Sequence, residues 1–233
     1  MINTYISIDL ETTGLNPKQD KIIEIGAIKV EEGKITDTFS QLLNPGRKLE
    51  ERIVELTGIT DKDLEGKPYV EDVFPKLMDF LGDYPLLGHS VLFDFSFLKK
   101  AAVNQKLTFE KQALDTLKIA RKFLADLEHR SLDYLCEYYG IPHHAHRALA
   151  DAEATHMLYL RLAEAFYKEE EALFVPQQLQ FQVKRDTPIT KPQKERLYRL
   201  LTQHNITLEV SVEKLTRSEA DRFIDKILAK YGR

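Results

Sequence analysis

Apolar runs in the first part of the chain predict three β-strands. Residues 5–11 are rich in β-branched and aromatic side chains and lead into a Thr-Thr-Gly turn. Two further runs cover residues 21–30 and 35–43, separated by the turn at 31–34. Because the connections are short, we predict that the three strands form an antiparallel meander.

Helical spacing replaces this pattern after the meander. Apolar residues recur at intervals of three and four over residues 70–81, which predicts a helix. Short apolar runs at 86–87 and 113–114 predict buried strands. Further helices are predicted to start at Ser90, as a capping residue, and at Thr116, and to cover 132–139 and 150–162. A meander followed by such elements predicts a mixed sheet flanked by helices.

A change in composition near residue 170 predicts the domain organisation. We expect one domain over residues 1–170, a linker over 171–189 with an extended segment at 179–183, and a small helical unit over 190–233. Capping signals support the last unit: Thr190 precedes Pro192 at one helix start, and Thr216-x-x-Glu219 fits a capping box at another.

Charge is distributed unevenly along the chain. Residues 184–233 carry 12 Lys and Arg against 7 Asp and Glu, a net charge of +5, whereas residues 1–183 have a net charge of −9. An acidic body with a basic tail is compatible with an acidic metal site and a tail that touches phosphates. The alternative is that the basic residues are only a solvated helical face.

Asp9 and Glu11 form the first candidate site, at the end of the first predicted strand. Side chains two apart on a strand point to the same face, so these carboxylates project together. Two adjacent carboxylates repel, and a bound Mg²⁺ or Mn²⁺ ion removes the penalty because hard cations prefer oxygen ligands. The alternative is an ordinary strand end with exposed acids.

Asp94 and Asp151 are the other acidic candidates. Asp94 lies among the apolar residues of 91–97, which predicts partial burial and a need for a cation or hydrogen bonds. The alternative is a capping acid or one on the solvent face of its helix. Asp151 opens the apolar-striped helix.

His146 precedes Asp151 by five residues. Residues five apart in a continuous helix diverge by about 140°, so we expect His146 on the preceding loop, folded back toward the acids. Histidine is the residue type whose unperturbed pKa, ~6.5, suits a general base near neutral pH. One alternative is a surface histidine, and another is a soft-metal site of His143, His144 and Cys136, although no zinc-binding spacing supports it.

These segments together resemble the three motifs of the DEDDh 3′→5′ exonucleases: residues 9–15, residues 88–94 and His146-x₄-Asp151. Similarity to the epsilon subunit of DNA polymerase III and to the polymerase C exonuclease domain extends to residues 53–60. The resemblance covers about residues 4–167. It implies a ribonuclease-H-like α/β fold, with an antiparallel three-strand meander plus parallel strands flanked by helices and followed by a small C-terminal helical extension. One departure is Ser90, where many relatives have Asn.

The resemblance also implies a mechanism. Asp9, Glu11, Asp94 and Asp151 would bind two divalent ions, Mg²⁺ or Mn²⁺, about 3.5–4 Å apart. His146 would accept the proton of the attacking water, and the product would be a nucleoside 5′-monophosphate. The residues implied to hold the terminal nucleotide are Thr12, Thr13, Gly14, Leu15, His89 and Phe93. Core packing is the alternative role for Leu15 and Phe93.

The predicted substrate is a single-stranded or frayed 3′ end of DNA, in replication proofreading or repair. Two alternatives remain open: an exoribonuclease of the ribonuclease T or oligoribonuclease type, and a non-catalytic nucleic-acid-binding module. Proofreading would need a separate polymerase partner. Residues 178–181 (Gln-Leu-Gln-Phe) faintly resemble a peptide that binds a sliding clamp, with an ordinary linker as the alternative.

Cellular location is predicted from three absences. No apolar run approaches the ~20 residues that span a bilayer, and the first residues lack a secretory signal. Cys136 is the sole cysteine, so the chain forms no internal disulfide. We therefore expect a cytoplasmic location and no association with membranes.

Overall fold

The computed structural model describes residues 1–232 except His144 and Glu209, and it describes Lys214 by its backbone alone. In this part of the chain the strands are β1 Tyr5–Thr12, β2 Ile22–Glu31, β3 Lys34–Leu42, β4 Leu86–Gly88, β5 Gln112–Asp115 and β6 Gln177–Gln178. They form one sheet in the order β3-β2-β1-β4-β5-β6. Strands β1 to β3 are antiparallel, and β4 runs parallel to both β1 and β5. The predicted mixed sheet with its meander is confirmed.

Helices cover both faces of this sheet. They are α1 Glu51–Thr57, α2 Asp61–Leu64, α3 Val70–Leu81, α4 Leu92–Asn104, α5 Thr116–Phe123, α6 Leu132–Tyr139, α7 Ala148–Phe166, α8 Lys191–Gln203 and α9 Arg217–Tyr231. Two short 3₁₀ turns lie at Glu171–Phe174 and Val212–Lys214. Among the residues described, none of these helices combines the length and the apolar character required to cross a bilayer.

The predicted role of Ser90 as a helix cap is wrong. Helix α4 begins at Leu92, and its N-cap residue, Val91, makes no side-chain capping hydrogen bond. Ser90 has a φ of 72°, in the left-handed region, and its backbone N–H donates to Asp115 Oδ1 at 2.9 Å. Ser90 therefore makes the turn between β4 and α4 rather than the first residue of the helix.

Alternation along β1 divides its side chains between two cores. Ile6, Ile8 and Leu10 pack with α3 and α4 on one face of the sheet. Tyr5 packs with α5, α6 and α7 on the opposite face. Because strand side chains alternate, Ser7, Asp9 and Glu11 point to the same face as Tyr5. The carboxylates of β1 are therefore directed toward α7.

Helix α7 is tied closely to that face along its length. The Tyr5 hydroxyl lies 2.7 Å from His156 Nδ1, and the Ser7 hydroxyl donates to the Ala152 carbonyl at 2.7 Å. Gly26 on β2 pairs with Asp9 and lies under the first turn of α7. A Cβ at Gly26 would come within 2.0 Å of the backbone nitrogen of Leu149. Glycine therefore allows the helix to begin directly against the sheet.

The segment predicted as a linker packs against the main body at several points. Strand β6 pairs antiparallel with β5 and directly precedes the predicted extended segment. Phe174 and Leu179 are buried, and Phe181 packs partly against the α3–α4 side of the core. The apolar residues of the clamp-like peptide are therefore engaged within the chain.

The C-terminal unit, defined here as residues 189–232, has an apolar core of its own. Leu197 and Leu200 of α8 pack against Ala220, Ile224 and Ile227 of α9. Helix α9 begins with the predicted capping box of Thr216 and Glu219. Helix α8 begins after Thr190, as predicted, and Gln193 completes a capping box there that was not predicted. The apolar side chains of α9 thus pack on the preceding helix.

We predict that Gly26→Ala destabilises the protein by at least about 1–3 kcal/mol, the usual cost of overpacking, because the added methyl group meets the α7 backbone rather than a flexible side chain. Urea unfolding, followed by circular dichroism, measures this free energy.

Ser40→Ala provides a matched control, because Ser40 pairs with Gly26 from β3 and is exposed. We expect its effect to stay within about 0.5 kcal/mol. Equal stability of the two variants would show that the close approach of α7 is not required.

Candidate active site

Three carboxylates converge where β1 ends beneath the first turn of α7. Each of Asp9, Glu11 and Asp151 offers a carboxylate oxygen, and these oxygens lie within 4.8 Å of one another. Asp151 is 6% exposed, whereas Asp9 and Glu11 are partly exposed. The convergence follows from the strand alternation that directs both β1 acids toward α7 and from the close start of that helix over Gly26.

Asp94 reaches the same region from the opposite side of the sheet. It lies in the first turn of α4, is 3% exposed and accepts a hydrogen bond from the Leu10 N–H at 3.1 Å. Strand β4 pairs with β1 at Ile6 and Ser7, so Leu10 lies beyond that pairing. The Asp94 carboxylate therefore accepts the backbone hydrogen bond that a neighbouring strand would otherwise accept from Leu10, and it lies beside Asp9.

Burial and mutual repulsion shift the acids of this cluster toward their protonated forms. Burial, followed by the charges of Asp94 and Asp151, raises the pKa of Asp9 well above its usual value. Burial, followed by the charges of Asp151 and Glu24, raises the pKa of Glu11 to about 8. A carboxylate cluster of this kind is stabilised in its ionised form by a hard cation, so these oxygens fit a divalent metal.

Glu24 is a site residue that the sequence analysis missed. It lies on β2 opposite Glu11 and is 1% exposed. Its carboxylate accepts hydrogen bonds from Arg147 Nη2 at 2.9 Å and from the Ala148 N–H at 3.1 Å. Glu24 therefore anchors the N-terminus of α7, the end that carries Asp151. Glu24 and Gly26 are two residues apart on β2, so they share one face of the sheet. The sequence did not show that α7 packs on this face, and the role of Glu24 could not be inferred without that knowledge.

Two histidines near Asp151 differ in whether they contact its carboxylate. His146 lies on the preceding loop as expected, with a φ of 65°, and its Nε2 is 4.0 Å from Asp133 Oδ2. His143 is the one in direct contact, since its Nε2 pairs with Asp151 Oδ1 and its Nδ1 lies 3.2 Å from Asp133 Oδ1. The structure therefore places His143, rather than His146, against the cluster.

The turn after β1 is organised by polar contacts. Thr12 donates to the Gly14 carbonyl at 2.7 Å, and Thr13 Oγ1 accepts from the Lys21 N–H at 3.0 Å and pairs with Arg47. Both threonines are buried. A Cβ at Gly14 would lie 2.5 Å from Asp20 Oδ2, so a side chain would displace that carboxylate.

The other candidate nucleotide contacts differ in the exposure of their side chains and in the use of their polar atoms: Leu15, Phe93 and His89. Leu15 is 85% exposed, which rules out core packing for this side chain. Phe93 is partly buried beside Phe97, with 5.0 Å between ring centroids. Both ring nitrogens of His89 are used within the protein, by Thr116 Oγ1 at 2.9 Å and by the Arg130 carbonyl at 2.8 Å.

The alternative soft-metal site receives no support within the part of the chain that the structure describes. Cys136 is buried among apolar residues, and burial raises the pKa of its thiol to about 12. Among the described residues, the group that could hold a metal is the acidic one, and it contains neither Cys136 nor His143. His144 lies outside the described residues.

Comparison with known proteins identifies the family. The profile of the Exonuclease family matches residues 6–159, which include all four acids and both histidines. This chain belongs to the exonuclease family. The resemblance inferred from the three motifs is thereby confirmed.

Three relatives show how far the similarity to this chain extends. The epsilon subunit of DNA polymerase III from Aquifex aeolicus is 38% identical over 70% of this chain and 82% of its own length. The PolC-type DNA polymerase III of Caldanaerobacter subterraneus is 40% identical over 69% of this chain, which spans only 12% of that polymerase. Exonuclease X, solved with 5′-overhanging duplex DNA, is 27% identical with a TM-score of 0.57, covering 70% of this chain and 92% of its own.

We predict that Mn²⁺ raises the melting temperature of the protein more at pH 8 than at pH 5. Without metal, the raised pKa values make the folded state bind more protons than the unfolded state between about pH 4 and pH 8. Stability should therefore fall as the pH rises through this window. Metal binds the ionised carboxylates, and at about 100 times Kd we expect a gain of about 5–10 °C.

Asp9→Asn should remove most of the Mn²⁺ effect and make the metal-free protein less sensitive to pH, as measured by differential scanning fluorimetry in EDTA and in Mn²⁺. Asp37→Asn, on the exposed face of β3, is the control and should behave as the parent chain. An undiminished Mn²⁺ shift in Asp9→Asn would contradict the assignment of this cluster as the metal site.

Proposed function

We propose that this protein is a 3′→5′ exonuclease that hydrolyses the terminal phosphodiester bond of DNA and releases nucleoside 5′-monophosphates. The observation that carries this proposal is the convergence of acids from three distant segments: Asp9 and Glu11 of β1 lie close to Asp151 of α7, and Asp94 of α4 is held beside Asp9 by the Leu10 N–H. The similarity across most of an epsilon subunit supports DNA as the substrate. In this proposal residues 1–170 form the catalytic domain, which acts in the cytoplasm.

We assign Asp9, Glu11, Asp94 and Asp151 as ligands of two divalent ions, Mg²⁺ or Mn²⁺. When bound, such ions stabilise the charge that develops on the phosphate oxygens during hydrolysis. The protein residues supply the rest of the framework. Asp94 is held by the Leu10 N–H, and Asp151 is held by a helix whose N-terminus is anchored to Glu24.

We assign His146 as the general base and His143 as a positioning residue. A base needs a ring nitrogen with a free lone pair near the attacking water. Both nitrogens of His143 are engaged, with Asp151 and Asp133, and its side chain is 7% exposed. His146 is 40% exposed on the loop before α7, and its Nε2 lies 4.0 Å from Asp133, so its ring is less enclosed than that of His143.

The terminal nucleotide is proposed to bind beside the turn after β1. Leu15 is exposed enough to act as a wedge against the terminal base, and Phe93 offers a ring on which any base can stack. Thr12, Thr13 and Gly14 supply the backbone of this binding surface. A contact from His89 would involve its ring carbons, because its nitrogens are occupied.

The polymerase partner also belongs to the proposal. Relatives of this chain include a subunit of DNA polymerase III and a segment of a PolC-type DNA polymerase III, so we propose that proofreading in association with a separate polymerase is the cellular role. The clamp-like peptide contributes less to this association than its sequence suggested, because Leu179 is buried.

We predict that the purified chain releases 5′-mononucleotides one at a time from single-stranded DNA in Mg²⁺ or Mn²⁺, and that EDTA stops the reaction. Asp9→Asn should lower kcat by at least about 10³-fold because it removes a ligand, and His146→Gln by about 10²–10⁴-fold, the usual contribution of a general base. Chromatography of products from DNA and RNA oligonucleotides labelled at the 5′ end measures both rate and polarity.

His129→Gln is the matched control, because His129 is exposed and its Nε2 pairs with the neighbouring Glu128 rather than with any of the four acids. It should retain the parent activity. Faster digestion of RNA than of DNA would show that RNA, rather than DNA, is the preferred substrate. Retained hydrolysis in Asp9→Asn would contradict the catalytic assignment.

A further inference from the structure

A cavity of about 1000 Å³ lies between the main body and the C-terminal unit. We call it the basic groove. Its walls come from the turn after β1, from the loop at 45–48, from α3 and α4, and from the residues around the start of α9. Thr13, two residues after Glu11, is part of its wall. One end of the groove therefore reaches the turn that follows the catalytic strand.

Ion pairs hold the C-terminal unit in place along this groove. Lys21 lies 3.3 Å from Glu219 of α9, and Arg222 of α9 lies 3.3 Å from Glu50 and 3.7 Å from Asp20. Before the unit, Asp186 pairs with Lys100 at 2.6 Å and accepts a hydrogen bond from Asn104 at 2.9 Å. These contacts place the unit so that its basic side chains face the catalytic domain.

Cations outnumber acids in the groove wall, although residues 1–183 are acidic overall. The six cationic residues of the wall are Lys21, Arg47, Lys48, Arg185, Arg222 and Lys226, and the four acidic ones are Glu50, Glu71, Asp186 and Glu219. Asp20 pairs with Arg47 and Arg222, and Glu50 pairs with Arg222 and Lys226, so two carboxylates are shared among three cations of the wall. Within the described part of the chain, Arg185 is exposed and has no ion-pair partner. The wall therefore carries an excess of positive charge that can meet phosphates.

Aromatic side chains accompany these cations. Tyr69, at the start of α3, is 51% exposed, and Phe223 of α9 is partly buried. A basic groove with aromatic rings on its walls is the arrangement with which proteins bind single strands without sequence preference: cations contact the backbone, and bases stack on the rings. The volume of the groove suits a short stretch of single strand rather than a duplex.

We propose that the C-terminal unit and the catalytic domain together form a binding channel for single-stranded nucleic acid, in which the strand upstream of the 3′ end lies along the basic groove. The proposal rests on the exonuclease function, since it makes the groove the route to the four acids. The unit thereby raises the affinity for strands long enough to fill the groove.

Binding measured without catalysis tests the channel independently of the exonuclease assignment. The probe is a dye-labelled single-stranded 20-nucleotide DNA, and fluorescence anisotropy is recorded with the full chain in EDTA. Arg185→Gln combined with Lys226→Gln should weaken binding about tenfold and reduce the slope of log K against log salt by about 1.4, because two phosphate contacts are lost. Tyr69→Leu should weaken binding several-fold through lost stacking.

Two matched controls separate the groove from general charge and surface effects. Arg196→Gln combined with Arg199→Gln removes the same charge from exposed positions of α8 outside the groove. Tyr138→Leu removes an equally exposed tyrosine from α6. Both should bind as the parent chain does. Equal weakening by the groove and control pairs, or no weakening by the groove pair, would overturn the proposal, as would duplex DNA binding as tightly as the single strand.

Hydrolysis then shows whether the channel serves the active site. The ratio of kcat/KM for a 20-nucleotide strand to that for a trinucleotide should fall about tenfold in the groove pair and stay unchanged in the control pair. An unchanged ratio in the groove pair would separate the groove from catalysis and refute this part of the proposal. Absence of hydrolysis in the parent chain would instead contradict the proposed function, while leaving the binding result intact.

Discussion

The close approach of α7 to the β1–β2 face is the constraint on which the site depends. Asp9 and Asp151 belong to different elements, and their oxygens come within 4.8 Å only because the helix begins directly on the sheet. Small residues make this approach possible: Gly26 leaves no Cβ, and Ala148 and Ala152 are fully buried at the interface. The Ser7–Ala152 and Tyr5–His156 hydrogen bonds continue the same contact along the helix.

The fold holds together a group of charges that repel one another. Burial and neighbouring acids raise the pKa values of Asp9 and Glu11, so the ionised cluster destabilises the metal-free protein. Contacts outside the cluster offset this repulsion. The Glu24–Arg147 pair anchors the N-terminus of α7, the Leu10 N–H stabilises the Asp94 carboxylate, and the apolar cores on both faces keep the sheet and helices in register. A cation-binding site is thus prepared by the surrounding structure.

Sequence patterns predicted the features that depend on local periodicity. Alternation placed Asp9 and Glu11 on one face of a strand, and helical spacing placed Asp151 at the start of α7. Features that depend on tertiary packing were not predictable in this way. The roles of Gly26 and Glu24 become apparent only when the face covered by α7 is known, and Ser90 was mistaken for a cap because its left-handed backbone has no sequence signature. The contact between His143 and Asp151, and the groove beside the C-terminal unit, likewise arise from segments that meet only in the folded chain.

We propose that four acids from distant segments form a cage for paired divalent cations. A crystal structure of the protein with Mn²⁺ and a nucleoside 5′-monophosphate, with anomalous scattering recorded at the manganese edge, tests it most directly. We expect two anomalous peaks about 3.5–4 Å apart, ligated by oxygens of Asp9, Glu11, Asp94 and Asp151. Manganese bound elsewhere, or oxygens of these acids that ligate no ion, would contradict it.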